Sequence, residues 1–393
     1  MYFNPDISTS AYILFGISLL ALVFVFVFYL PQVRSPRRRK EECRAMADDG
    51  SAGFPDVSVI VYAHDNSDNL EHALTNLLKQ DYPGGYEVIV VNEGSSDTTL
   101  SVVSMLKNTY PNLYLTYTPD GARSLSRKKL AITIGVKAAR NPVVVITDDA
   151  TVVRSTRWLR KMMRHFADPA TEVVLGLSMP SPKKDTAWGR RRRAFDFTAS
   201  AVTWLSAAIA GHPYRGASGN IAFRRDKFFD NKGFSSSLNL RSGDDDIFIN
   251  EITDGSNTVV ELSPEATTRW NIYNYRASIT RHRLSHEFTG RYVPHGRRVL
   301  MATGEVMFSA SVITALAGAI ACGAANIFGW AVAAVLALTG ITAVAATWRK
   351  TLIALGSRRM FLSLPWLAAT RPARNLALKV RCLLFPGKNY TWN

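Results

Sequence analysis

The stretch that decides the fold is Pro142–Thr151, PVVVITDDAT. Val143 to Thr147 are consecutive β-branched residues, all but the last aliphatic. Such a run reads as a short strand buried on both faces at the centre of a parallel sheet. It leads directly into Asp148 and Asp149. Ligands of open α/β sheets bind beyond the carboxyl ends of strands, so a carboxylate pair there is placed to act. Adjacent acids repel unless a cation stands between them, and a hard divalent ion carrying a diphosphate meets that need. A turn or a helix N-cap is the bland reading, because Asp favours both.

Working outward, Val57–Tyr62 (VSVIVY) and Tyr86–Val91 (YEVIVV) are two further buried strands, and Leu113–Tyr117 is a third. Between the first two, Leu70, Ala73, Leu74, Leu77 and Leu78 recur at helical spacing. Ser126–Ala139 is a basic-faced helix leading into the central strand. Strand and helix alternate, and a polar or acidic turn follows each strand: Ala63–Asn66, then Asn92–Asp97, then Asp148–Asp149. That order predicts a doubly wound, mostly parallel α/β sheet. Val173–Ser178 reads as another strand, and Gly189–Arg193 opens a long apolar helix over Ala194–Ala210. A second acidic cluster, Ser242–Asp246, stands before a helix that begins at Ile247. Three adjacent acids raise one another's affinity for protons.

The ends of the chain differ in kind. Ala11–Leu30 carries no charge and is long enough to cross a bilayer, and Arg34, Arg37, Arg38, Arg39 and Lys40 follow it. Val306–Trp348 is uncharged and long enough for two crossings with a turn near Cys322–Gly329, and Arg349, Lys350, Arg358 and Arg359 come next. Positive residues on these flanks place the central segment and the tail in the cytoplasm. The last stretch mixes Leu, Trp and Arg and reads as an interfacial helix broken at Pro365 and Pro372. The expected layout is an anchor over 1–33, a basic juxtamembrane linker over 34–55 and a catalytic domain over 56–300. That domain divides into halves at 152. A membrane hairpin over 305–348 and a basic interfacial segment over 349–393 complete it.

Lys plus Arg number 47 against 31 Asp plus Glu, a formal charge of +16. The basic residues cluster beside apolar spans, which points to anionic membrane lipids and phosphate-bearing substrates and not to nucleic acid. Cys43, Cys322 and Cys382 are too few and too far apart for a disulfide framework or a zinc ribbon.

Read together, VSVIVYAHDNSDNL, QDYPGGYEVIVVNEGSSDTT and VVVITDDAT resemble the nucleotide-sugar half of family 2 glycosyltransferases, which share the GT-A fold. GHPYRGASGNIAFRRDKFF and SGDDDIFIN look like the acceptor half, and the resemblance, to membrane-anchored Bacteroidetes-type members, covers about Val57 to Arg298. It implies donor binding by Asp65 and Glu93, by Lys128 or Lys129 against the diphosphate, and by Asp148. It implies a Mn2+ or Mg2+ ion on Asp148 and Asp149, although the family's Asp-any-Asp has here become Asp148-Asp149-Ala150. Asp97 is a ligand or a helix cap. Asp245 takes the place of the general base, with Asp244 as the alternative and Asp246 as a cap. Gly219, Asn220, Arg281 and His282 would meet the acceptor or the diphosphate, Thr280–Arg283 being a degenerate form of a QxxRW motif with Ser278 at the Gln position.

The resulting expectation is an inverting glycosyltransferase at the cytoplasmic face of a bacterial inner membrane, acting on a lipid-linked or membrane-presented glycan. The departures at Asp65, Glu93, Ala150, Gly219 and Ser278 set a rival beside it: a catalytically weakened subunit that binds a sugar nucleotide or a lipid.

Overall fold

The computed structural model describes residues 8–46, 53–119, 125–181, 187–272, 274–294 and 296–384. In chain order the elements begin with α1 (Thr9–Phe24), a π-helical turn at Val25–Tyr29 and α2 (Leu30–Ala45). Then come β1 (Val57–Ala63), α3 (Ser67–Leu78), β2 (Tyr86–Asn92), α4 (Thr99–Lys107), β3 (Leu113–Tyr117), α5 (Arg127–Ala138) and β4 (Val143–Asp148). The second half of the domain runs β5 (Thr151–Val152), α6 (Trp158–Met163), β6 (Val173–Leu175), β7 (Ser178–Pro180), α7 (Ala187–Ile209), β8 (Ile221–Arg224) and α8 (Arg225–Asp230). It continues through α9 (Ile247–Ile252), β9 (Thr258–Val260), β10 (Thr268–Trp270) and α10 (Tyr275–Thr289). The chain then forms α11 (Gly296–Ala321), α12 (Ile327–Ala354), α13 (Leu364–Ala369) and α14 (Arg371–Leu384).

These elements fall into two compact units. The larger is built on a seven-stranded sheet of order β3-β2-β1-β4-β8-β6-β9, which makes the PVVVITD strand the middle one. β1 pairs in parallel with both β2 and β4, matching Tyr62 to Asp148 and Ala63 to Asn92. The acidic and polar strand ends therefore align along one edge. β8 runs antiparallel to β4 and to β6, so the sheet is mixed and mostly parallel, as expected. Val57, Val59, Val61, Val88, Val90, Val143 and Val145 are buried in one core with Leu70, Leu74 and Leu77 of α3, as their spacing predicts. A smaller sheet of order β5-β10-β7 carries the chain just beyond Asp149.

The other unit holds α1, most of α7 and α11 to α14. Among the described residues, three helices are long and apolar enough to cross a membrane: Thr9–Ala45, Gly296–Ala321 and Ile327–Ala354. They pack through small residues and polar contacts, as expected where apolar burial gains nothing against lipid. Gly304 lies against Tyr29 and Gly318 against Phe15. Trp348 Nε1 donates to Tyr29 Oη at 3.0 Å, and Ser18 Oγ donates to the Ser311 carbonyl at 2.7 Å.

Three boundaries differ from expectation. The basic linker is helical as far as Ala45 because Arg, Lys and Glu are good helix formers. Pro31, which cannot donate to Val27, falls just past the π-helical turn that absorbs the misfit. Residues 47–52 of that linker and 385–393 of the tail lie outside the described residues. Gly329 belongs to the first turn of α12, which leaves a shorter turn before it. Pro365 and Pro372 open α13 and α14 instead of breaking one helix, the position where a missing N–H costs nothing. Arg371 pairs with Glu305, and Arg374 Nη2 meets Asp196 Oδ1 at 2.6 Å.

Candidate active site

At the carboxyl ends of β1, β2 and β4 the turns are tied to one another by their own acids. Asp65 has a positive φ of 45° and stands exposed, accepting from Ser96 N at 2.7 Å. That bond holds its carboxyl below the usual range. Asp97 accepts from Ser67 N at 2.8 Å and from Thr99 N at 3.0 Å, so it caps the starts of two helices. Glu93 is buried, accepts from the Tyr62 hydroxyl, and has Arg127 Nη1 3.5 Å from its other oxygen. Burial, and then Glu93 itself, push the Tyr62 phenol up.

The paired acids of the central strand part company. Successive side chains at a strand end point opposite ways. Asp148 accepts from Thr151 Oγ1 at 2.6 Å. Asp149 turns back over β1, where Oδ2 accepts from His64 N at 2.8 Å and Oδ1 from Asn66 Nδ2 at 3.0 Å. Burial, and then the charge of Asp148, raise its carboxyl to about 7. Each of the two acids thus has its own set of hydrogen-bond partners.

A stability signature follows. Between an unfolded value of 3.8 and a folded one of about 7, the folded chain keeps the Asp149 proton that the unfolded chain has shed. This contribution is complete below the lower value and is lost as pH rises through the window. Melting of the detergent-purified protein across that range should show the decline, and Asp149→Asn should flatten it.

The second cluster is divided three ways. Asp244 Oδ2 meets Lys128 Nζ at 2.7 Å and accepts from Ser218 Oγ at 2.9 Å. Burial works against its charge, yet Lys128 prevails and holds the carboxyl down at about 2. Asp246 caps α9 through Ile247 N at 2.8 Å, accepts from Thr289 Oγ1, and has Arg215 Nη2 at 3.3 Å. Asp245 is buried with Oδ2 3.1 Å from His286 Nε2. Burial, and then Asp244, raise its affinity for a proton, against the opposing pull of His282, Arg215 and Lys128. His282 lies beside His286 at 4.1 Å between ring centroids and 5.6 Å from the Trp270 ring. Burial, and then His286, hold it well below the ordinary imidazole value.

Lys128 stands between the clusters. Burial disfavours its charge, but Asp244, Asp148 and Asp245 together keep the ammonium protonated above its usual range. Lys129 is turned elsewhere. Fully buried, it donates to Ser237 O at 2.6 Å, Ser237 Oγ at 3.0 Å and Ser242 O at 2.8 Å. Its three donors are thus spent on the loop that leads to Asp244, and no diphosphate contact remains to it. Asn220 is likewise internal, donating to Leu177 O and Ala266 O at 3.0 and 2.8 Å while accepting from Trp158 Nε1 at 3.0 Å. It shapes the turn and is closed to an acceptor. Gly219 touches Thr151 so closely that a Cβ there would lie 2.1 Å from Thr151 Oγ1, the group that holds Asp148. Arg281 is exposed on α10, next to the half-buried His282. His286, Arg215, Tyr62 and Trp270 escaped the sequence reading. Of these only His286 carried a signal, the His-x-x-x-His spacing with His282.

Residues 58–235 match the family model described as glycosyl transferase family 2. No curated protein sequence matches the chain. Among solved structures, the mannosyltransferase PcManGT from Pyrobaculum calidifontis, determined with GDP-Man and Mn2+, is similar at 20% identity and a TM-score of 0.51. That match covers 92% of this chain and 99% of the other. S. aureus TarS matches at 16% identity and a TM-score of 0.42, over 82% of this chain and 54% of that one. The sheet order and the PcManGT match show a fold of GT-A type, and residues 58–235 are similar to family 2 glycosyltransferases.

Proposed function

We propose that the protein moves a sugar, with inversion, from a nucleotide-sugar donor to a lipid-linked or membrane-presented glycan at the cytoplasmic face of a bacterial inner membrane. The observation that carries this reading is the division of labour among three consecutive acids. Asp244 is neutralised by Lys128 and Asp246 is spent on a helix cap, which leaves Asp245 buried and avid for a proton. In the reaction the acceptor oxygen bonds to the anomeric carbon while its proton passes to Asp245. The bond from that carbon to the diphosphate breaks, and the electron pair leaves on the diphosphate. A base whose affinity for a proton is raised serves that transfer. Lys128 supplies positive charge beside the donor, and Glu93, Asp65 and Asp148 offer acceptors to its base and ribose.

The test is transfer by detergent-purified full-length protein from a panel of nucleotide sugars to membrane lipid extract, with Mg2+, with Mn2+ and with chelator. Release of nucleoside diphosphate together with a product of inverted anomeric configuration is expected. Nucleotide binding with no release from any donor would overturn transfer in favour of a binding subunit.

The membrane face rests on the positive flanks of the spans. A Cys introduced at the exposed Thr109 should resist an impermeant thiol reagent in intact cells and react after lysis. Labelling in intact cells would reverse the orientation.

A further inference from the structure

Among the described residues, one trio of side chains offers ligand atoms close enough to share a metal ion: Asp245, His282 and His286, all within 4.8 Å of one another. Two features make this more than proximity. His282 and His286 are four residues apart on α10, so both imidazoles leave the same helix face toward the loop that carries Asp245. The neighbouring basic groups are also engaged by other acids, Lys128 with Asp244 and Arg215 with Asp246. Asp245 instead meets an imidazole, with Oδ2 and His286 Nε2 3.1 Å apart. Two ligands bound at about 2.1 Å on adjacent positions of one ion stand at a separation of that order.

The chemistry of the set selects the ion. Two imidazoles and one carboxylate suit Zn2+ and its neighbours at the end of the first transition row, whereas Mg2+ demands oxygen ligands. This site therefore differs in kind from one that would bind a hard ion on a diphosphate.

We propose that Asp245, His282 and His286 form a binding site for Zn2+, and that the bound ion takes Asp245 away from its role as proton acceptor. The second half rests on the proposed transfer reaction; the first does not. Zn2+ should then inhibit transfer at concentrations where Mg2+ does not.

Calorimetric titration of metal-free, full-length protein in detergent, without donor, tests the binding separately from any activity. One equivalent of Zn2+ is expected, with no Mg2+ heat at the same concentration. His286→Gln and His282→Gln should each weaken binding by about 10- to 100-fold. Thermal melts of both variants in chelator should match the parent, and if one variant melts early the other carries the test. Absence of binding, or equal binding by a folded variant, would overturn the site. Should Zn2+ bind while transfer proceeds unchanged, the competition for Asp245 is overturned. A protein that binds Zn2+ through these residues but transfers no sugar would refute the transferase reading and leave the site standing.

Discussion

Asp245→Asn is expected to lower sugar transfer by about 10²-fold or more, with nucleotide-sugar affinity nearly unchanged. The substitution keeps the volume and much of the hydrogen bonding, but an amide cannot take a proton at working pH. A general base acts on the acceptor hydroxyl in the transition state and contributes little to ground-state binding of the donor. Asp245 is suited to that task by burial and by the adjacent charge of Asp244. Asp244→Asn should behave otherwise. It removes the partner of Lys128 and so should disturb donor affinity as well as turnover. Donor titrations set beside transfer rates for the two variants separate these outcomes. Full activity in Asp245→Asn would end its assignment as the base.

Lys129→Met should be the most damaging substitution for the fold of the catalytic domain, costing about 3–5 kcal/mol of unfolding free energy. The methionine would fill much of the space yet leave Ser237 O, Ser237 Oγ and Ser242 O without the donor they now share. Each buried acceptor stripped of its partner costs about 1–3 kcal/mol, and the three are not additive. The loop so loosened includes Gly243, held at a φ of 117°, and leads straight into Asp244–Asp246. A protein that remained folded would therefore misplace its base. Chemical or thermal unfolding of the purified protein measures the effect, and an unchanged midpoint would show that the buried ammonium is dispensable.

Much of this protein is legible in its residues alone. Runs of β-branched residues ended by acids mark the buried strands, because only a strand covered on both faces needs apolar side chains at every position. Uncharged stretches of spanning length mark the membrane helices for an equally local reason. The order of motifs places the acidic clusters at strand and helix ends, and Asp246 caps its helix as its position implies.

Direction was decided only by the tertiary structure. Lys128 and Lys129 are indistinguishable in sequence, but neighbours on a helix point about 100° apart. One reaches the Asp244 carboxylate and the other the buried carbonyls of Ser237 and Ser242. Asp148 and Asp149 are adjacent in sequence, but one meets Thr151 and the other the turn after β1. Asn220 disappears into the core because the carbonyls it satisfies come from Leu177 and Ala266, which no local pattern connects to it. His286 reaches Asp245 across forty-one positions. Hydrophobic period and charge are properties of a segment and can be read along it. Which partner meets a polar side chain depends on where distant segments are brought together, and that is settled by packing.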